Sequence, residues 1–299
     1  MATVAITQNH HIEHAIKEAL GHLAIKALMQ GKVVAVKPND TFAKAGSTGG
    51  VTQPDTLKAV VQYLKQFEPR QLVITGGSGA AKTDEVFKVA GLMRVVEEEC
   101  IEFFDHNHPP FVSVDLPYAP DKEVAGPQKS ILVNPRVLEY ETLVALNQLK
   151  VHTSATVTLA LKNIAMSYPP ADYYGYPRAS RRHEHHFIDD LHSFIAAMAK
   201  RFPIQLAITV GHPAMIGYGP LDGHVVETGL VIASTDPLAA DVIGAYLLGF
   251  NIQAVRHLWE ADRLSVGESH IDRMQFPAMS LKDGVAAFTQ AAYGERLEF

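Results

Sequence analysis

His152 and Lys162 are the residues of this sequence best suited to proton-transfer chemistry. The ordinary pKa of an imidazole lies near neutrality, so a histidine can both donate and accept protons. A lysine amine that is removed from water can act as a nucleophile or pair with an anion. Lys150 and Asn163 stand in the same polar passage. We therefore predict catalytic roles for His152 and Lys162 and ligand binding by Lys150 and Asn163, with ordinary structural roles as the alternative.

Lys37 and Asn39 form a second polar segment, which follows the apolar run at residues 33–36. In open α/β sheets, ligands bind at the carboxyl ends of the strands. Lys37 could meet an anion there, and Asn39 could fix its orientation. The tripeptide at 38–40 is also ordinary turn chemistry, so a plain turn is the competing interpretation.

A glycine-rich turn between a predicted strand and a predicted helix provides a third segment, made of Gly76, Gly77, Ser78 and Gly79. Glycines allow backbone N–H groups to approach a phosphate closely. The string nearly matches the nucleotide P-loop pattern but has Ala81 where that pattern requires glycine. We expect an anion-binding turn rather than an NTP-hydrolysing loop, with a tight strand-to-helix connection as the alternative.

Two further groups of residues complete the candidate site. His183, His185 and His186 could bind a divalent metal, because imidazole is a common metal ligand, although a solvent-facing loop also explains them. Asp236 follows a predicted strand, and we assign it to ligand binding or to capping the next helix. Asp241, inside that apolar helix, is predicted to be a buried polar anchor.

The hydrophobic pattern alternates between strands and helices, which predicts an α/β fold with a mostly parallel sheet covered by helices, as one unit or as two lobes. We predict a single domain over residues 1–299, with its core at about 33–250 and a helical extension at 251–299. The predicted strands are 33–36, 72–75, 142–146, 206–210 and 225–232, and the main predicted helices are 12–30, 54–67, a helix from 83 to Gly91, 157–166, 188–202, 236–248 and 281–292.

Composition narrows the classes of function. The net charge of −6 argues against a protein that mainly grips a nucleic-acid backbone. The single cysteine, Cys100, excludes a disulfide framework, and also an iron–sulfur cluster held within this chain. We find no secretory signal and no apolar stretch of the roughly 18 residues needed to cross a bilayer. We expect a cytoplasmic protein whose partner is a small molecule rather than a membrane or nucleic acid.

Taken in order, these segments resemble a family of uncharacterised domains, the domain-of-unknown-function family 362. The resemblance covers about residues 33–250, and it lies in Lys37-Pro38-Asn39, the 76–79 turn, 149–152, 158–163, 219–223 and 233–237 with Asp241. Many members of that family carry an attached ferredoxin-type domain, whose cysteines this chain lacks. The redox role of that attached domain is therefore not carried over to this chain, and the resemblance supplies no established reaction.

A weaker similarity links the chain to lactate racemase and its relatives. In their loop, a catalytic histidine precedes by ten positions a lysine that tethers a nickel-pincer nucleotide. His152 and Lys162 have that separation. The later nickel-binding histidine of the racemase corresponds in spacing to Arg178 here, and the flanking glycines are missing. Nickel-pincer racemase or epimerase chemistry is therefore kept as a minority hypothesis.

From the residues we expect an enzyme of isomerase or lyase type that binds a small anionic or phosphorylated ligand at the strand ends. His152 and Lys162 would carry the proton transfer. The alternative is a non-catalytic module that binds a cofactor or metal in the same cleft. The cofactor is left open between a divalent metal and a nucleotide-type group.

Overall fold

The computed structural model describes residues 1–43, 49–119, 129–176, 188 and 190–297. Its strands are β1 (Ala2–Gln8), β2 (Val33–Pro38), β3 (Gln71–Gly76), β4 (Glu102–Asp105), β5 (Val112–Asp115), β6 (Ser130–Val133), β7 (Thr142–His152), β8 (Thr156–Val157), β9 (Leu206–Ile216), β10 (His224–Val226), β11 (Leu230–Ser234) and β12 (Met274–Gln275). A mixed but mostly parallel sheet contains all of them except β5 and β6, which pair with each other. The predicted α/β class is confirmed.

Helices cover this sheet. They are α1 (Ile12–Gly21), α2 (Lys26–Met29), α3 (Pro54–Lys65), α4 (Thr83–Val89), α5 (Leu92–Glu98), α6 (Leu159–Ser167), α7 (Ala171–Tyr174), α8 (Leu191–Arg201), α9 (Pro237–Leu247), α10 (Arg256–Arg263) and α11 (Leu281–Tyr293), with 3₁₀ turns at Pro135–Leu138, Ile252–Ala254 and Ile271–Arg273. Within the described ranges, none of these helices has both the length and the apolar character needed to traverse a bilayer.

The strand order along the main sheet is β12-β1-β11-β9-β7-β2-β3-β4, with β10 beside β9 and β8 beside β7. β2, β3, β4, β7 and β9 are mutually parallel, so their carboxyl ends lie at one edge of the sheet, which we call the carboxyl edge. β11 runs antiparallel to β9 and to β1. Chain segments that leave β11 therefore start from the opposite edge.

Both faces of the sheet are buried, which explains why its central strands are apolar in sequence. One core cluster joins the sheet to α6, α8 and α9, and contains Leu161, Phe194 and Ile243. The other joins it to α1 and α3, and contains Ile16 and Val60. Every residue of β7 is buried, so the polar side chains at its end lie inside the protein rather than on its surface.

Several predicted boundaries need correction. The helix predicted over 12–30 is broken, because α1 ends at Gly21 and α2 begins only at Lys26. The strand predicted over 225–232 is two strands, β10 and β11, separated near Gly229, which has a φ of 61°. β7 and β9 extend well beyond their predicted ends, and β1 and α5 were not predicted. The extension of β7 matters most, because it brings Lys150 and His152 onto a strand.

Candidate functional site

A cavity of about 420 Å³ opens at the carboxyl edge of the sheet. Four chain segments line it: residues 39–41 after β2, residues 77–80 after β3, the passage from the end of β7 into α6, and residues 218–222 after β9. The parallel strands bring these distant segments together, as the strand-end argument predicts. Of the predicted site residues, the cavity lining includes Asn39, Gly77, Gly79, Lys150, His152, Lys162 and Asn163.

Lys37 lies behind the cavity in a buried ion pair. Its Nζ is 2.5 Å from Oδ1 of Asp40 and donates a second hydrogen bond to the Pro38 carbonyl at 2.6 Å. Lys37 is fully buried and Asp40 is only 3% exposed. The anion that we expected Lys37 to meet is therefore a carboxylate of the protein itself.

Asp40 also accepts hydrogen bonds from the glycine-rich turn. Gly77 N–H donates to Asp40 Oδ2 at 2.8 Å, and the Ser78 hydroxyl donates to the Asp40 carbonyl. Ser78 N–H donates to the hydroxyl of Thr83 at 3.2 Å. Three donors that could have faced a phosphate thus have acceptors within the protein, and Gly76 and Ser78 do not line the cavity.

Gly77 is required because of a close approach. A Cβ at this position would lie 2.1 Å from Nε2 of His106 and 2.5 Å from the Ser167 carbonyl. The His106 ring is itself held by the hydroxyl of Thr75 at Nδ1, at 2.9 Å. The turn is therefore built for packing against this histidine as much as for reaching the cavity.

Asn39 and Asn163 line the cavity while joining its walls. Asn39 Oδ1 accepts the Gln148 N–H at 2.8 Å. Asn163 Nδ2 donates to the Lys37 carbonyl at 3.1 Å and to Asn147 Oδ1 at 2.8 Å. These bonds connect β2, β7 and α6, so both asparagines fix the shape of the site.

Lys150 contributes an amine from inside β7. The residue is 1% exposed, and its Nζ donates to the Gly50 carbonyl at 2.5 Å. Burial lowers the pKa of Lys150 to about 7, because the protonated form loses its hydration. The charge of Asp40 works against this shift in the pKa, and the charge of Lys37 adds to it. Near neutral pH the amine is close to half deprotonated.

His152 ends β7 and is 8% exposed. Its Nδ1 accepts the N–H of Ser154 at 3.0 Å and of Ala155 at 3.3 Å. A nitrogen that accepts hydrogen bonds has no proton, so these two bonds assign the proton of the neutral ring to Nε2. The strand end therefore fixes both the orientation and the tautomer of this imidazole.

Lys162 is carried by α6, whose first turn is held by a distant residue. The carboxylate of Asp241 on α9 accepts the N–H groups of Ala160 and Leu161, each at 2.8 Å. Backbone N–H groups in the first turn of a helix have no acceptor within the helix, and the N-cap residue of α6 supplies none from its side chain. Asp241 therefore takes the place of a side-chain cap. Burial raises the pKa of Asp241 to about 7, against the opposing effect of the two hydrogen bonds. The predicted polar anchor thus positions the helix that carries Lys162 and Asn163.

Asp236 lies outside the cavity. It follows β11 at the opposite edge of the sheet, where its Oδ1 accepts the Ala239 N–H at 3.0 Å and caps α9. Its Oδ2 accepts the Glu268 N–H at 2.8 Å. The expectation that Asp236 binds ligand is corrected by the antiparallel direction of β11, and the capping interpretation describes its contacts.

The predicted metal ligands His183, His185 and His186 lie outside the described residues. Among the residues that the structure does describe, no group of three His, Cys, Asp or Glu side chains is placed to hold a metal ion.

Two features of the site had no role assigned from the sequence. Thr158 is 4% exposed and lines the cavity, and its buried hydroxyl has no hydrogen-bond partner within the described part of the chain. The loop after β9 also forms one wall, where a Cβ on Gly219 would lie 2.2 Å from the Val151 carbonyl. The glycines around 219 signalled a tight turn, but only the parallel pairing of β7 with β9 shows that it borders the cavity.

A family model described as a domain of unknown function, DUF362, matches residues 34–246. The matched range includes every segment that lines the cavity. No curated protein matches the chain.

Proposed function

The chain belongs to the DUF362 family of domains of unknown function, and we propose that it is an enzyme that binds a small anionic molecule in the cavity and moves a proton on it. Support comes from the charges on the cavity wall. Lys150, Lys162 and His152 all line the cavity and are each less than a tenth exposed. Of the two carboxylates that the described residues place on the cavity wall, Asp40 is already paired with Lys37, and Asp222 is exposed to solvent. This balance favours a ligand that brings its own negative charge.

In the proposed reaction, the imidazole of His152 donates its Nε2 proton to the substrate, because its other ring nitrogen accepts two backbone hydrogen bonds and has no proton to give. The opposite nitrogen is held by the backbone, so the ring does not need to reorient during the transfer. The neutral fraction of the Lys150 amine would take the C–H proton, and Lys162 would stabilise the negative charge that develops on the substrate. Proton removal and return at one carbon is the chemistry of an isomerase or lyase.

Ligand binding can be tested by thermal unfolding with inorganic phosphate, citrate or AMP as probes. A ligand that binds only the folded state raises the Tm in proportion to the logarithm of its concentration. We expect such a rise for at least one probe and a weaker one in Lys162→Met. Lys58→Met, at an exposed position, is the matched control and should behave as wild type. If none of these anions raised the Tm, the proposed anion site would be wrong.

Proton transfer can be tested by NMR in D₂O with small 2-hydroxy and 2-oxo acids. We expect the wild-type protein to replace a C–H proton of one acid with deuterium. His152→Asn should abolish this exchange and keep the Tm rise, because the variant removes the proton carrier rather than the lysines. Exchange that persisted in His152→Asn would exclude the imidazole as the proton carrier.

The second candidate function is a binding module without catalysis. It is favoured by the number of polar groups at the site that are already bonded within the protein, including the glycine turn and both asparagines. Anion binding without any exchange would support it. The nickel-pincer hypothesis is tested by elemental analysis of freshly purified protein, which should find nickel if that minority hypothesis is correct.

A further inference from the structure

Two buried lysines close to the carboxyl edge, Lys37 and Lys150, differ in what neutralises them. Lys37 has the carboxylate of Asp40 at 2.5 Å. Lys150 is equally buried, but its Nζ bonds to a neutral carbonyl, that of Gly50. Within the described part of the chain, no carboxylate lies at ion-pair distance from Lys150. An isolated ammonium ion in a protein interior loses its hydration without compensation, so the neutral amine is favoured at this position.

A neutral amine at this place has a free electron pair. It needs one N–H for the Gly50 carbonyl, and the nitrogen then keeps its lone pair, which an ammonium lacks. Because Lys150 lines the cavity, that lone pair is within reach of a ligand. Desolvated lysines of this kind act as nucleophiles toward carbonyl groups.

Thr158 provides an independent indication of a ligand. Thr158 lines the same cavity, and its buried hydroxyl has no hydrogen-bond partner among the described residues, which is costly unless a ligand or water supplies one. Its own N–H donates to the Lys150 carbonyl at 3.0 Å, so the hydroxyl and the amine belong to adjacent backbone segments. The pair can bind one ligand group that accepts a hydrogen bond and is electrophilic, as a carbonyl is.

We propose that the Lys150 amine condenses with the carbonyl group of the ligand, so that the substrate is a small oxo acid held as an imine. The inference rests on the proposed function, since the carboxylate of the oxo acid is the negative charge that this site favours. It adds the chemical class of the substrate and a covalent step.

The step balances without any further reagent. The nitrogen lone pair forms a bond to the carbonyl carbon while the C=O π bond breaks, and one N–H proton moves to the oxygen to give a carbinolamine. Its hydroxyl leaves as water, taking a proton that Lys162 supplies, and the nitrogen lone pair forms the C=N bond. The resulting protonated imine withdraws electrons from the neighbouring carbon, so its C–H becomes acidic enough for the Lys162 amine, which has given its proton to the departing water, to remove the C–H proton. No atom is oxidised or reduced.

The experiment is reductive trapping of the wild-type protein. The protein is incubated with pyruvate or glyoxylate and sodium cyanoborohydride, and the modified peptide is identified by mass spectrometry. We expect one reduced adduct per chain on Lys150, at least about tenfold above that on the exposed Lys58, because ordinary lysines are almost fully protonated near neutral pH. With a pKa of about 7, trapping should increase about tenfold from pH ~6 to pH ~8, as the neutral fraction of the amine does.

The outcomes separate this inference from the proposed function. Mapping on the wild-type protein does not depend on whether Lys150→Met folds, and that variant should lose the adduct while Lys162→Met keeps it. An adduct on Lys162 instead of Lys150, or labelling no greater than that of Lys58 with both acids, would overturn the imine. If phosphate, citrate or AMP still raised the Tm, anion binding would stand and only the covalent step would fall.

Discussion

The ends of β2 and β7 are neighbours in the sheet, yet they treat a buried lysine in opposite ways. Lys37 on β2 pairs in register with Ala145 of β7, a short distance before Lys150 on the same strand. Lys37 is neutralised by Asp40, whereas among the described residues the hydrogen-bond acceptor of Lys150 is a carbonyl, that of Gly50. The ion pair of Lys37 with Asp40 stabilises the fold. Lys150, by contrast, places a basic amine beside a cavity, so burial alone does not distinguish a structural lysine from a reactive one.

Among the variants that test this contrast between the two lysines, Asp40→Asn is expected to have the largest effect on stability. The substitution removes the carboxylate that pairs with the buried Lys37 ammonium and weakens the acceptor of the Gly77 N–H. We expect the free energy of unfolding to fall by about 3–5 kcal/mol, measured by urea denaturation. Asp84→Asn removes an exposed ion pair with Lys88 and should cost less than about 1 kcal/mol. Equal losses in the two variants would contradict a special role for the buried pair.

Asp241→Ala acts on the β7 side, because it leaves two buried N–H donors of α6 without acceptors. We expect a loss of about 2–3 kcal/mol in the free energy of unfolding, since each orphaned donor carries its own desolvation penalty. Ser280→Ala removes a single exposed cap of α11 and should cost about 1 kcal/mol. The variant should also weaken the Tm rise with anions, because α6 carries Lys162 and Asn163.

Lys150→Met is expected to stabilise the protein near neutral pH by about 1–2 kcal/mol, because it removes a desolvated amine that lacks a carboxylate partner. The pKa of Lys150 is about 7 in the folded protein and about 10.4 in the unfolded chain. Between these values the unfolded chain binds more protons, so this residue makes wild-type stability increase with pH by about 1 kcal/mol per unit. The variant should lack that increase.

Urea denaturation at several pH values between about 7 and 10 measures both effects. Lys58→Met, at a position that is 43% exposed, should keep the wild-type slope. If Lys150→Met also kept it, the amine would be protonated in the folded state, and the contrast with Lys37 would disappear.

The smallest effect is expected for Thr158→Val. Its hydroxyl has no partner to lose within the described residues, so the free energy of unfolding should not fall and should rise by up to about 1 kcal/mol. Trapping of pyruvate on Lys150 should nevertheless fall. Thr83→Val is the contrasting variant, because the Thr83 hydroxyl accepts from Ser78 and Asn107 and its loss should cost about 1–3 kcal/mol. A comparable cost at Thr158 would reveal a partner inside the protein.

Much of the architecture was predictable because it follows from the spacing of apolar residues within short stretches of sequence. The apolar runs that became β2 and β3 and the helix that became α3 follow from residue spacing alone. The gathering of polar segments at one edge follows from parallel strands. β1 was missed because its pairing partner lies at the far end of the sequence, and Leu92–Glu98 was missed because Gly91 reads as the end of a helix rather than as the start of the next.

The roles of individual site residues were less accessible. Sequence reasoning placed Lys37 and the glycine turn before a ligand, but Asp40 satisfies both. It placed Asp236 at the site, but the direction of β11 sends it to the opposite edge. It recognised Asp241 as buried, but not that it caps a helix about 80 residues earlier in the chain. The contacts of Asp40 with Gly77 and of Asp241 with α6 join distant residues whose proximity depends on the completed sheet, whereas Lys37 and Asp40 are only three residues apart.

The position of β1 has a consequence for biosynthesis. This strand pairs with β11, and Ser234, the partner of Val4, is synthesised about 230 residues later. At typical ribosomal rates that interval lasts roughly 10 to 50 seconds. During it, the emerging polypeptide carries an apolar segment without its hydrogen-bonding neighbour, a condition that invites chaperone capture. Yield in cells should therefore depend on chaperone supply more strongly than the stability of the finished protein would suggest.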